Sequence, residues 1–185
     1  MKTVKYAAEI VKELQRSVTL ISEEETEKLA DRIQTAGKIF LAGAGRSGFM
    51  GRAFAMRLMH MGFNAYVVGE TVTPGIGPDD LLIIGSGSGE TQSLATMARK
   101  AKQLGASVVT VTIHPDSMLG SLSDFSVKLP GTPKEQKNAD GVTIQPMASL
   151  FEQTLIVLYD AVILGLMDQK DQSSRQMFGR HANLE

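Results

Sequence analysis

The sequence predicts an α/β protein: a three-layer, doubly wound, mostly parallel five-stranded sheet with extra helices at both ends of the chain. Three observations point there. Short apolar strand segments alternate with helical segments at the spacing of βαβ units. Two strands run directly into Gly/Ser-rich turns that open helices. The chain of 185 residues is 43% hydrophobic and 21% charged, ordinary for a folded soluble protein and long enough for one sizeable core.

Taken in order, Val4, Ala7, Val11, Leu14, Val18 and Ile21 recur at spacings of three and four, predicting a helix with a narrow apolar stripe. Such a stripe suits either a helix lying on its own domain or one pairing with another subunit. Ser22-Glu23-Glu24-Glu25 reads as a capping box opening a second helix that stops near Gly37. Lys38 to Ala42 predicts strand one, followed by the loop GAGRSG and a helix from Ser47 to Met61 that Gly62 ends. Asn64 to Val68 predicts strand two. Asp80 to Ile84 predicts strand three, leading into GSGSGET and a helix over Glu90 to Leu104. Ser107 to Ile113 and Phe125 to Leu129 predict strands four and five.

The stretch from Pro130 to Pro146 is polar and rich in Pro and Gly, a loop long enough to suggest a working role. Ala148 to Met167 is apolar enough for a membrane span, but it carries Glu152, Gln153 and Asp160. An unpaired acid in lipid costs ~2.5–3.5 kcal/mol, so a buried helix is expected instead. A helix apolar on most sides needs cover, which predicts a dimer or tetramer. Met50, Met56, Met59 and Met61 are expected to fill core or interface gaps. Residues 1–185 show no repeat or linker and are expected to form one domain, with a helical arm over about 1–36 and a polar tail over about 168–185.

Composition removes several classes of function. Lys and Arg total 19 against 20 Asp and Glu, so no basic excess serves nucleic acid. The chain has no cysteine, which excludes disulfides, thiolate catalysis and Cys-ligated metal. The N-terminus lacks an apolar leader segment, and a cytoplasmic protein without membrane association is expected. The three histidines have no metal-ligand spacing, so no metal is expected.

Gly43-Ala44-Gly45-Arg46-Ser47-Gly48 matches G-x-G-x-x-G, and Glu70 follows the next strand about where a dinucleotide site places its ribose acid. A nucleotide enzyme is therefore a competing reading. The second loop favours a phosphate site. In Ser86-Gly87-Ser88-Gly89-Glu90-Thr91, three hydroxyls alternate with glycines at a helix start, where amides, hydroxyls and the helix dipole can converge on a dianion. One serine would suffice merely to cap the helix. In the flavodoxin-like order 2-1-3-4-5, strands one and three are neighbours and both loops line one crevice; in the order 3-2-1-4-5-6 they do not.

With GAGRSG at 43–48 and SGSGET at 86–91, the sequence resembles the SIS family of sugar isomerase domains over nearly its whole length. QPMASLFEQ at 145–153 and RHANLE at 180–185 resemble the branch that isomerises hexulose 6-phosphates. The resemblance implies conversion of D-arabino-hex-3-ulose 6-phosphate to fructose 6-phosphate through an enediol, without cofactor. It places the reaction in the ribulose monophosphate route of formaldehyde fixation, coupled to hexulose-6-phosphate synthase. It also implies that Ser86, Ser88 and Thr91 hold the phosphate with backbone room from Gly87 and Gly89, while Arg46 and Ser47 face them. Another sugar-phosphate isomerase or a non-catalytic sugar-phosphate sensor would use the same loops.

An enediol route needs a base, and a carboxylate desolvated at the start of an apolar helix suits it, which selects Glu152. His181 is the second catalytic candidate, for proton shuttling or ring opening, because related isomerases complete their sites from a neighbouring subunit. Glu90 is either a helix-start acid or a catalytic group. His60 is expected to be structural and His114 a weaker candidate. Aldose–ketose relatives often carry a histidine after strand two, where this chain has Thr71-Val72-Thr73-Pro74, so their mechanism does not transfer directly.

Overall fold

A computed structural model describes residues 2–132 and 143–184. The middle of the predicted 130–146 loop, residues 133–142, lies outside the described residues, as do residues 1 and 185. Helices α1 (Thr3–Val18) and α2 (Glu23–Thr35) precede β1 (Ile39–Gly43), α3 (Gly45–Met61) and β2 (Ala65–Val67). Then follow β3 (Leu81–Gly85), α4 (Gln92–Gln103), β4 (Ser107–Thr112), α5 (Met118–Leu122) and β5 (Phe125–Lys128), with α6 (Ser149–Gln169) and α7 (Ser174–Phe178) after them.

The sheet order is β2-β1-β3-β4-β5, as the sequence predicts, and each neighbouring pair is parallel. Alternation along the strands explains the two apolar layers. Ile39, Leu41, Leu81, Ile83, Val109 and Val111 meet α2, α3 and α6 through Leu29, Ile33, Phe54, Leu58, Phe151 and Leu155. Phe40, Ala42, Leu82, Ile84 and Val108 face the other way, onto Leu94, Ala95 and Ala98 of α4 and Leu119 of α5. Both faces are covered, which is why β1 and β3 read as continuous apolar runs.

Helix α6 has the length and composition of a membrane span, yet it packs as a core helix, burying Phe151, Leu155, Tyr159 and Leu166. Its far side leaves Val157 and Leu164 exposed. Most of the stripe on α1 is exposed, with Val4 at 85% and Val11 at 63%, and its end Ile21 packs on the core, while the residues α1 buries are Glu13 and Ser17.

Three local departures have identifiable causes. The capping box at Ser22 is half formed: its Oγ accepts from Glu25 N, but the Glu25 carboxylate reaches across to accept from Lys128 N of β5. The reciprocal box forms instead at Ser173 and Gln176, starting α7 within the predicted tail. Helix α5 is likewise too short for the sequence pattern to predict; Ser117 caps it by accepting from Gly120 N.

Candidate active site

Gly43 and Gly85 are register partners, so the two Gly/Ser loops leave β1 and β3 at one level. A cavity of about 370 Å3 opens there, lined by Ala44 and Ser47 from the first loop, residues 85–88, Glu90 and Thr91 from the second, and Leu94 and Ala148. The first loop needs its outer glycines for close packing. A Cβ on Gly48 would sit 2.6 Å from the Gly43 carbonyl oxygen, so helix and strand approach only because neither carries a side chain.

The second loop is shaped by its own hydrogen bonds. Buried Ser86 accepts from Gly89 N through its Oγ at 3.3 Å, and exposed Ser88 accepts from Glu90 N at 3.3 Å. Gly89 adopts φ 68°, the left-handed conformation that glycine takes without strain. Neither Ala44 at the start of α3 nor Thr91 at the start of α4 caps its helix with a side-chain hydrogen bond. The cavity is therefore flanked by two helix N-termini whose first-turn amides have no side-chain acceptor among the described residues, a setting that favours an anion. Ser86, Gly87, Ser88, Thr91 and Ser47 all line it. Glu90 also borders it, but its Oε1 accepts from Met118 N at 2.9 Å, so its carboxylate ties α5 to the loop.

Glu152 lies in the first turn of α6 and is 5% exposed, with its amide donating to the carbonyl of cavity-lining Ala148. Its Oε2 accepts from Arg46 Nη1 at 3.0 Å. The buried acid expected at this helix start is thus not alone. Arg46, expected to face the phosphate loop, points its guanidinium at Glu152 and remains half exposed. A pair 106 residues apart in sequence carries no local signal that could have revealed it.

His181 lies elsewhere within this subunit. Its ring stacks on His60 at 5.3 Å and on Phe178 at 5.9 Å, beside a separate cavity of about 450 Å3 between α3, α6 and α7 that Arg57 and Asp160 also line. His60 is buried, and burial, with the charges of Arg57 and His181, holds its ring below the usual imidazole range. Arg180 donates to the His60 carbonyl and docks the tail. His114 is exposed after β4, where its amide donates to Thr112 Oγ1. Glu70, the acid of the dinucleotide reading, is ion-paired with Arg52. Among the described residues no three His, Asp or Glu side chains gather as a metal site.

Comparison with known proteins places the chain among relatives. The family model described as the SIS domain matches residues 32–164. A 3-hexulose-6-phosphate isomerase of Bacillus subtilis is 57% identical over 185 residues, covering 100% of both chains. One from Mycobacterium gastri is 41% identical over 165 residues, covering 89% of this chain and 82% of its own. A crystal structure from Methanococcus jannaschii, for which a 3-hexulose-6-phosphate isomerase function was inferred, superposes with a TM-score of 0.80 at 36% identity and covers 100% of both chains.

Proposed function

The chain belongs to the SIS domain family, and from that premise we propose that it is a sugar-phosphate isomerase converting D-arabino-hex-3-ulose 6-phosphate to fructose 6-phosphate. The observation that carries the reading is the cleft between β1 and β3, where four hydroxyls and two uncapped helix starts line a wall completed by Ala148, one turn before a buried acid paired with arginine.

The phosphate is assigned to the second loop. Ser88 and Thr91 hydroxyls and the first-turn amides of α4 donate to it, Ser86 shapes the turn, Gly87 and Gly89 give room, and Ser47 closes the opposite wall. Binding through amides and the helix dipole suits a dianion in a chain without excess positive charge. The carbonyl end of the sugar then extends toward Arg46 and Glu152.

Glu152 acts as the base. It takes the proton from C2, the C2–H electrons form the C2=C3 double bond, and the C3 oxygen becomes an enediolate that gains a proton. Loss of the O2 proton and protonation at C3 leave the carbonyl on C2. Arg46 has two tasks: it holds the carboxylate by a charge-assisted bond, and its exposed edge offers further N–H groups to the enediolate oxygens. Delivery at C3 of the proton taken from C2 makes the step neutral overall and calls for no redox partner.

We further read residues 1–185 as one such domain with arm and tail, acting in the cytoplasm alongside hexulose-6-phosphate synthase. The exposed apolar residues of α1 and α6 support a homodimer or homotetramer, in which His181 would serve the site of a neighbouring copy.

The test is turnover of fructose 6-phosphate to 3-hexulose 6-phosphate, followed by product NMR for the wild type and Glu152→Gln. Conversion by the wild type, and loss of turnover in the variant with substrate binding retained, is expected. Binding without conversion by the wild type refutes this isomerisation and favours another sugar-phosphate substrate or a sensor; wild-type turnover in Glu152→Gln removes it as the base.

A further inference from the structure

Glu13 is an unusual residue for the inward face of a helix. It sits in the middle of α1, is 4% exposed, and uses both carboxylate oxygens on a segment 130 residues away. Oε1 accepts from Ile144 N at 2.7 Å. Oε2 accepts from Thr143 Oγ1 at 2.7 Å and from Gln145 Nε2 at 2.9 Å. Thr143 Oγ1 in turn accepts from Gln145 N at 3.0 Å, closing a small network. Burial alone would push this carboxyl up; the bonds from Thr143, Gln145 and Ile144, with the charge of Arg16, outweigh it and hold the group below its usual range. A buried charge is a poor way to gain stability, because an apolar contact of the same size does as well or better. What it supplies is direction, since three donors from consecutive residues fit one carboxylate in one arrangement.

That arrangement matters for what comes next in the chain. Pro146 and Met147 follow, the latter in the left-handed conformation at φ 57°, which a side chain adopts only when its surroundings impose it. Ala148 then forms a wall of the cavity, its carbonyl accepts from Glu152 N, and Glu152 meets Arg46.

We propose that Glu13 is a positioning residue: its carboxylate clamps residues 143–145 so that Ala148 walls the cavity and Glu152 is presented to Arg46 and the substrate. The inference rests on the isomerase reading of that site. It gives α1 a role in the site although α1 does not line the cavity. It also separates two functions of the cleft, because the clamp bears on the α6 side and leaves the phosphate loop between β3 and α4 untouched.

Glu13→Gln keeps the shape but puts an N–H group where an acceptor is needed. The variant is compared with the wild type for kcat and KM with fructose 6-phosphate and for amide hydrogen exchange at Ile144 and Glu152. The expected result is a kcat reduced on the order of tenfold to a hundredfold, as for a small misplacement of a reacting group, with KM near wild type and faster exchange at both amides. Glu13→Gln combined with Gln145→Glu restores a carboxylate–amide pair and should recover part of the lost kcat. A folded Glu13→Gln with wild-type kcat and exchange overturns the proposal, as does a KM that rises while kcat stays. If that variant does not fold, Thr143→Val removes one donor, and unchanged kcat and exchange there overturn it equally. Absence of turnover in the wild type is a failure of the isomerase reading instead, and exchange at Glu152 with fructose 6-phosphate bound then decides on the clamp alone.

Discussion

Replacing Gly89 by alanine tests the geometry of the phosphate loop through stability as well as activity. Two costs arise at the residue itself. Its backbone is left-handed at φ 68°, which burdens a side chain by about 1–2 kcal/mol. Its new Cβ would lie 1.9 Å from Ser117 Oγ and 2.4 Å from Ser117 Cβ, too close to persist, so Ser117 must move. Moving it breaks the cap it makes to Gly120 N of α5, worth about 1 kcal/mol. The bond from Leu119 N to the Gly89 carbonyl, 2.9 Å long, goes with it at about another 1 kcal/mol. We predict a total of roughly 3–4 kcal/mol, measured as a lower urea midpoint at unchanged slope. Turnover of fructose 6-phosphate should fall through a raised KM, since the displaced loop is the one assigned to the phosphate. Ser117→Gly in the same chain removes the collision and leaves the backbone cost of about 1–2 kcal/mol plus a few tenths for the lost cap, so the double-mutant cycle should show strong coupling. A Gly89→Ala protein within about 0.5 kcal/mol of wild type, binding its substrate normally, would refute this account of the loop.

Three further outcomes are expected. Ser88→Ala and Thr91→Ala should raise KM by roughly tenfold each for the loss of a charge-assisted bond, with kcat little changed; a selective fall in kcat would assign these hydroxyls to chemistry instead. His60 is held below its ordinary value of 6.5, so its contribution is complete above that pH. Below pH 6.5 the unfolded chain takes up a proton that the folded ring resists, and stability declines. Thermal unfolding between pH 7 and 5 should show that decline, His60→Gln should flatten it, and an identical slope in the variant would remove His60 as its source. Tyr159 is fully buried, stacked on Phe54 at 4.1 Å, and its Oη has no partner among the described residues. Tyr159→Phe keeps the stack and should gain about 1 kcal/mol; a loss of that size in urea unfolding would show that the hydroxyl holds a bond.

The sheet was legible because its signals are local and repeat. The strands are short runs with few charges, β1 and β3 each closed by glycine, and the placement of two Gly/Ser loops after those two selects the observed order. Length limits what periodicity can reveal, and α5 and α7, at five residues each, are too short to show a helical stripe. Their caps at Ser117 and Ser173 were the only local clues. At the site, the hydroxyls of the second loop follow from spacing, and Glu152 from its place at the head of an apolar helix. The partners of the acids do not. Glu13 finds Thr143, Glu152 finds Arg46 and Glu25 finds Lys128 only after the sheet has brought distant segments together. The apolar stripe of α1 left open whether it packs on its own domain or on another subunit, and the contact that Glu13 makes carries no apolar signal at all.

The helix starts at Ala44 and Thr91 have a consequence for the folded protein as a whole. A chain ordinarily encodes its own capping groups; under the proposed reading the substrate phosphate would bring one to α4, beside the equally uncapped start of α3. Ligand and fold are then linked as any binder and its native state are linked, with about 2.7 kcal/mol of added stability at a hundred times the dissociation constant. Inorganic phosphate alone, though it cannot react, should therefore stiffen the opening turns of both helices and raise the melting temperature. Metabolite supply would in this way govern how long the enzyme lasts as well as how fast it works.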